Sequence, residues 1–102
     1  MDAWIIRRAQ PTLEDARRLL AVESAALGDS DYTPRQALAV LRRPEQRALL
    51  AMEGEEAIGF CSCLRAPTVA GPRLEIDLLG VLPSHQGRGL GTALIRAAQR
   101  EG

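Results

Sequence analysis

Apolar residues along the chain change period several times, and the changes divide it into seven elements. Trp4, Ile5 and Ile6 lead an arginine pair and predict a short strand over residues 4–9, stopped by Pro11-Thr12. Leu13, Ala16, Leu19, Leu20, Glu23 and Leu27 then largely keep helical spacing, with Thr12 and Asp15 resembling a capping box and Gly28 as a stop. A polar connection, Gly28 to Tyr32, leads to a second helix. Thr33 caps it, Pro34 takes its first position, Gln36 completes the cap and Pro44 ends it.

The period then shortens. Arg47–Met52 and Ala57–Leu64 predict two strands joined as a hairpin through Glu53-Gly54-Glu55-Glu56. Residues 66–72 hold two prolines and a glycine and predict a second turn. Leu74–Leu82 is an almost unbroken apolar run carrying Glu75 and Asp77, which reads as a buried strand. Leu90, Ala93, Leu94, Ala97 and Ala98 return to helical spacing over Gly89–Glu101. The predicted order is β-α-α-β-β-β-α, an α/β arrangement with a mixed sheet flanked by helices. At 102 residues there is one domain, 1–102.

Composition narrows the function classes. Thirteen basic and thirteen acidic residues give zero net charge, so no long-range field recommends a nucleic acid or an anionic membrane as partner. Every basic residue is arginine, which excludes a catalytic lysine. Cys61 and Cys63 with the single His85 cannot supply a zinc site, so no metal is expected; on a strand both thiols share a face as small apolar groups. No stretch approaches the ~20 apolar residues of a membrane span. The N-terminus lacks the order of a secretory signal, and the expected location is cytoplasmic.

The chemistry concentrates where the last strand meets the last helix, at Gln86-Gly87-Arg88-Gly89-Leu90-Gly91. The first N–H groups of a helix have no partner within it and carry partial positive charge, so a pyrophosphate can accept from them. Gly87, Gly89 and Gly91 keep side chains out of the way, and Arg88 adds a positive charge. The spacing is neither a Walker A loop nor a dinucleotide fingerprint.

The run from Leu79 to Leu94, with Val81-Leu82-Pro83 before Gln86, Gly89 and Gly91, resembles the Arg/Gln-x-x-Gly-x-Gly/Ala motif of the GNAT superfamily of N-acetyltransferases. The upstream order of elements is also similar to that family. The resemblance implies an acetyl-CoA site. Leu79, Gly80 and Val81 would pair with the pantetheine arm, and amides from Gly87 to Thr92 (Gly87, Arg88, Gly89, Leu90, Gly91 and Thr92) would hold the pyrophosphate. It implies transfer of acetyl to a primary amine by direct attack on the thioester, with the Val81 amide as a candidate oxyanion donor. Gly80 independently suggests a bulge or a close approach.

Glu75, eleven residues before Gln86, occupies the position of the general base in histone-acetylating members. The alternative is a strand carboxylate paired with arginine or facing water. Asp77 is a weaker second choice on the same face. His85 reads as an exposed loop residue. Tyr32 falls where the family often lines its acceptor pocket, with packing as the other reading.

The family fold continues with a further strand, helix and hairpin, absent from this sequence. The expected fold is therefore a GNAT-like domain truncated after the cofactor-binding helix, with an open edge on Leu74–Leu82 that invites a second copy or a partner chain. A non-catalytic CoA-binding or interaction module, or an inactive fragment of the enzyme, are the other functional readings.

Overall fold

The computed structural model describes residues 3–101; Met1, Asp2 and Gly102 lie outside the described residues. Four strands, β1 (Ile5–Arg8), β2 (Gln46–Glu53), β3 (Glu56–Thr68) and β4 (Gly71–Val81), form one sheet in the order β1-β2-β3-β4. Helices α1 (Leu13–Leu27), α2 (Pro34–Leu41) and α3 (Leu90–Glu101) complete the α/β fold in the expected sequence of elements. The sheet was expected to be mixed. Over the described residues its pairings are antiparallel throughout, because consecutive strands join as hairpins and β1 pairs back onto β2.

Local chemistry sets the helix ends. At α2 the capping box is complete: the Gln36 amide donates to Thr33 Oγ1 at 3.2 Å and the Thr33 amide to Gln36 Oε1 at 2.8 Å. At α1 only half of it forms. The Asp15 amide donates to Thr12 Oγ1, but the Asp15 carboxylate turns instead to Arg7, Arg18 and the Gln10 amide. A charged guanidinium fork is a stronger partner than one more backbone N–H.

The apolar faces pack on both sides of the sheet. Leu90, Leu94 and Ala98 of α3 bury Leu49, Ala51, Cys61 and Cys63. Val22 of α1 packs with Leu50, Met52 and Phe60 on the other face. Cys61 and Cys63 are fully buried free thiols 3.7 Å apart, and burial pushes Cys61 up to about 12. They fill core volume and are inert as nucleophiles.

Three features of β3 and β4 differ from the expected picture. First, the turn expected over 66–72 is there but tighter, confined to Val69-Ala70: β3 runs to Thr68 and β4 begins at Gly71. Pro67 and Pro72 face each other, so the two missing N–H groups coincide at one rung of the ladder. Second, β4 is not buried. Glu75, Ile76, Asp77 and Leu78 are exposed, because β4 pairs only with β3 among the described residues and is an edge of this sheet.

Third, the bulge lies at Asp77 and not at Gly80. Ser62 pairs with Leu78 and Cys63 with Ile76, leaving Asp77 as the extra residue. Gly80 is a close approach from within the protein. A Cβ there would meet the ring of its cross-strand partner Phe60 at 2.6 Å, and that ring is fully buried.

Candidate functional site: a strand edge, a helix N-terminus and an acidic cleft

The C-terminal end of β4 turns through a short 3-10 segment, Pro83–His85, into the glycine-rich loop and α3. Gly87 and Gly89 have φ of +81° and +80°, a region that side chains rarely adopt, so both glycines are needed to make this turn. The Gly89 carbonyl accepts the first helical bond, from the Ala93 amide at 3.0 Å. The amides of Gly89, Leu90, Gly91 and Thr92 therefore have no partner within the helix.

Gly91 differs from the other two. Its φ is ordinary, and a Cβ built on it meets nothing within 4 Å. Neither backbone conformation nor packing calls for a glycine there. What the missing side chain leaves is open space directly in front of the helix amides. A groove of about 320 Å³ runs past it, lined by Val81, His85, Gln86, Gly87, Gly89, Leu90, Gly91 and Thr92.

The β4 edge leads into the same groove. The Leu82 amide donates to the Ile58 carbonyl, which makes 82 and 58 a hydrogen-bonded pair. By antiparallel alternation the groups of Leu79 and Val81 point away from β3, to the open edge. Gln86 Nε2 donates to the Val81 carbonyl at 3.0 Å, tying the loop back to the strand. This occupies one edge acceptor and leaves the Val81 amide and both Leu79 groups along the edge. The structure thus brings together Leu79, Val81 and the residues from Gln86 to Thr92. Gly80 lies beneath them against Phe60, and Arg88 sits exposed on the loop.

On the other face of β4, under α1 and α2, lies a second cleft of about 100 Å³. Leu19, Leu20, Val40 and Phe60 form its apolar walls; Glu23, Tyr32, Ser62 and Asp77 contribute polar atoms. Tyr32 is 54% exposed and lines the cleft, so it is not a packing residue. Glu23 was not singled out from the sequence, where it passed as one more position on the apolar stripe of α1. A carboxylate at such a position was the available signal. Burial, and secondarily the charge of Asp77, push its carboxyl above the usual range.

Glu75 and Asp77 do not act as a pair here. Glu75 faces Leu64 across the ladder and is exposed, outside the residues lining the cleft, whereas the bulge turns Asp77 into it. His85 is not an exposed loop residue. Its Nδ1 lies 2.8 Å from Ser84 Oγ and its Nε2 3.2 Å from Glu53 Oε1 on the β2–β3 hairpin, which holds the start of the loop against the sheet.

Among the described residues no helix is long and apolar enough to cross a membrane. The model of the Acetyltransferase (GNAT) family matches residues 12–102. The mycothiol acetyltransferase of Nocardia farcinica (strain IFM 10152) is 32% identical over 99 residues, covering 97% of this chain and 32% of that protein. The chain thus spans about a third of the length of that relative.

Among solved structures, an aminoglycoside acetyltransferase from an uncultured soil metagenomic sample, in complex with trehalose, matches with a TM-score of 0.84 at 18% identity. It covers 96% of this chain and 68% of that one, a likeness of fold alone. A ribosomal-protein-alanine N-acetyltransferase from Brucella melitensis biovar Abortus 2308 matches at 0.76 with 28% identity, over 97% and 71% of the two chains. With its motif residues, its fold and this match over nearly all of its length, the chain belongs to the GNAT acetyltransferase family.

Proposed function

We propose that the chain carries the acetyl-CoA-binding part of an N-acetyltransferase that passes acetyl to a primary amine by direct attack on the thioester. The observation that carries this reading is the unfilled space in front of Gly91, at a helix start whose amides have no partner within the helix. A pyrophosphate fits there by charge and by hydrogen bonding. From that point an extended arm follows the β4 edge, where the groups of Leu79 and Val81 can pair with its amides as an added strand would.

In this reading the thioester carbonyl lies against the Val81 amide, a fixed donor for the oxyanion that forms on attack. The amine approaches from the cleft on the other side of β4. Its nitrogen forms the new bond to the acetyl carbon as the sulfur leaves with the bonding pair. Glu75 takes the ammonium proton through a chain of waters, since it stands outside the cleft lining and further back along the strand from Val81. No covalent enzyme intermediate forms, in keeping with the burial of both thiols.

Release of free CoA tests this directly, because the two protein thiols are buried and add little background to a thiol reagent. Acetyl-CoA is incubated with the chain, alone and with a panel of primary amines. Amine-dependent CoA release is the expected result. Release at one rate with and without every amine would leave a binding module and not an enzyme.

A further inference from the structure

Exposed apolar residues are not spread evenly over the molecule. Of the seven large hydrophobics exposed among the described residues, Leu64, Val69, Ile76 and Leu78 lie on the β3–β4 hairpin. The β4 side of that hairpin also has an open backbone edge. The Arg65 amide donates to the Glu45 carbonyl, so the groups of Arg65 turn toward β2 and do not bond its partner Leu74. By alternation Pro72, Leu74 and Ile76 present their backbone groups to the open edge, all on the Gly71 side of the Asp77 bulge. Pro72 offers only a carbonyl.

The charges on this stretch select what can cover it. Arg73 and Glu75 are exposed and make no ion pair among the described residues. A second copy can add to β4 antiparallel about a two-fold axis, with the outward groups of Pro72, Leu74 and Ile76 brought together. Centred on Glu75, that pairing sets Glu75 against Glu75; centred on Ile76, it sets Glu75 against Asp77. Centred on Arg73 it opposes two arginines, and centred on Pro72 it opposes two residues without an N–H. Like charges directly opposite are destabilising. Centred on Leu74, it sets Arg73 against Glu75 twice, in the closer, non-hydrogen-bonded kind of pair. Leu74 then exchanges two backbone bonds with its own counterpart. Each Ile76 amide donates to a Pro72 carbonyl, the one group that Pro72 offers.

We infer that the chain forms a two-fold dimer by pairing β4 with β4 of a second copy around Leu74, Arg73 of each copy lying on Glu75 of the other. The paired stretch runs from Gly71 to Asp77 and stops short of Leu79 and Val81, so the edge assigned to the acetyl-CoA arm stays open. Beyond it the Val69-Ala70 turn of each copy comes alongside Leu78 of the other and covers exposed apolar surface. Glu75 receives a guanidinium from the second copy, which holds it in the ionised form that can take a proton. The dimer itself does not rest on the acetyltransferase reading.

Sedimentation equilibrium over a range of chain concentrations tests the pairing, with Arg73→Glu and Arg73→Glu/Glu75→Arg run alongside. Both positions are exposed, so the fold should survive either change, and circular dichroism with the thermal midpoint checks that it does. The unsubstituted chain is expected to reach twice the single-chain mass and stop there. Arg73→Glu brings carboxylates face to face at both pairs and should weaken the dimer by roughly tenfold or more, while reversing both charges restores it.

A chain that stays single would overturn the inference. So would a mass that keeps rising with concentration, the sign of β4 pairing with the β1 edge of the next copy. A dimer untouched by Arg73→Glu, or not regained when both charges are reversed, would overturn this register. Acetyl-CoA titrated into the same samples tests the proposed function separately: binding to a chain that stays single leaves that function standing while the dimer falls.

Discussion

Gly91→Asp is expected to abolish acetyl-CoA binding while leaving the ligand-free chain as stable as before, or slightly more so. The two halves of this expectation have separate causes. In the free protein the new side chain meets no neighbour within 4 Å, and the backbone at Gly91 is in an ordinary conformation. Replacing glycine in a helix removes a penalty of about 0.5–1 kcal/mol. A carboxylate in the first turn also interacts favourably with the helix dipole.

In the complex that carboxylate occupies the space assigned to the pyrophosphate and repels it. Like charges brought together in an interface cost several kcal/mol, so affinity falls by roughly 100-fold or more. Calorimetric titration of acetyl-CoA reads the second half and thermal unfolding the first. Unchanged affinity would mean that the phosphates lie elsewhere. A collapse of stability would mean that the glycine is there for the fold.

The largest effect on stability is expected at the other end of the sheet. Asp15 is 2% exposed and accepts from both terminal nitrogens of Arg7 at 2.8 Å, from Arg18 at 2.9 Å and from the Gln10 amide at 2.7 Å. The bonds from Arg7 are the main cause holding its carboxyl well below the usual carboxylate range, with the Gln10 amide and Arg18 adding to them against the cost of burial. Asp15→Asn leaves two guanidinium groups facing a neutral amide. The arginines are about a third exposed and keep some solvation, so a loss of about 2–3 kcal/mol is expected. For a domain of this size that lowers the midpoint by roughly 10–20 °C.

The pH dependence has a definite sign. The folded-state value of Asp15 is lowered relative to the unfolded value of about 4, so its contribution is complete above roughly pH 5. It drains away as the pH falls through the unfolded value toward the folded one. The stability gap between the chain and Asp15→Asn should accordingly be constant near neutrality and narrow in acid. A gap that stays constant down to pH 3 would show that the Arg7–Asp15–Arg18 group acts by packing and not by charge.

What could be read from the sequence followed from how local each cause was. The caps at Thr12 and Thr33, the stop at Gly28 and the helix start after Gly89 depend on residues within a few positions, and each is visible in the string of letters. The same holds for the glycine-rich turn, whose chemistry is that of the backbone. The reach of the β3–β4 hairpin was hidden because Pro67 and Pro72 read as turn-formers one at a time. Only the register shows that they oppose each other.

The exposure of β4 was masked by its composition, since an apolar run at an edge is spelled like one in the centre. The bulge at Asp77 is a property of a pair of strands, and so is the contact that demands Gly80. The acidic cleft was the least legible part of the site. It is assembled from α1, α2 and all of β2, β3 and β4, and its carboxylates stand 54 positions apart in the chain, at Glu23 and Asp77.

Acetyl-CoA binding is the claim on which the rest of the functional account stands, and thermal unfolding of the chain with and without acetyl-CoA tests it most directly. At ~100 times its dissociation constant a ligand stabilises the folded state by roughly 2.7 kcal/mol. The account therefore requires one cooperative transition whose midpoint rises by roughly 10 °C or more on adding acetyl-CoA. A cooperative transition whose midpoint does not move over a broad range of acetyl-CoA concentration would contradict it.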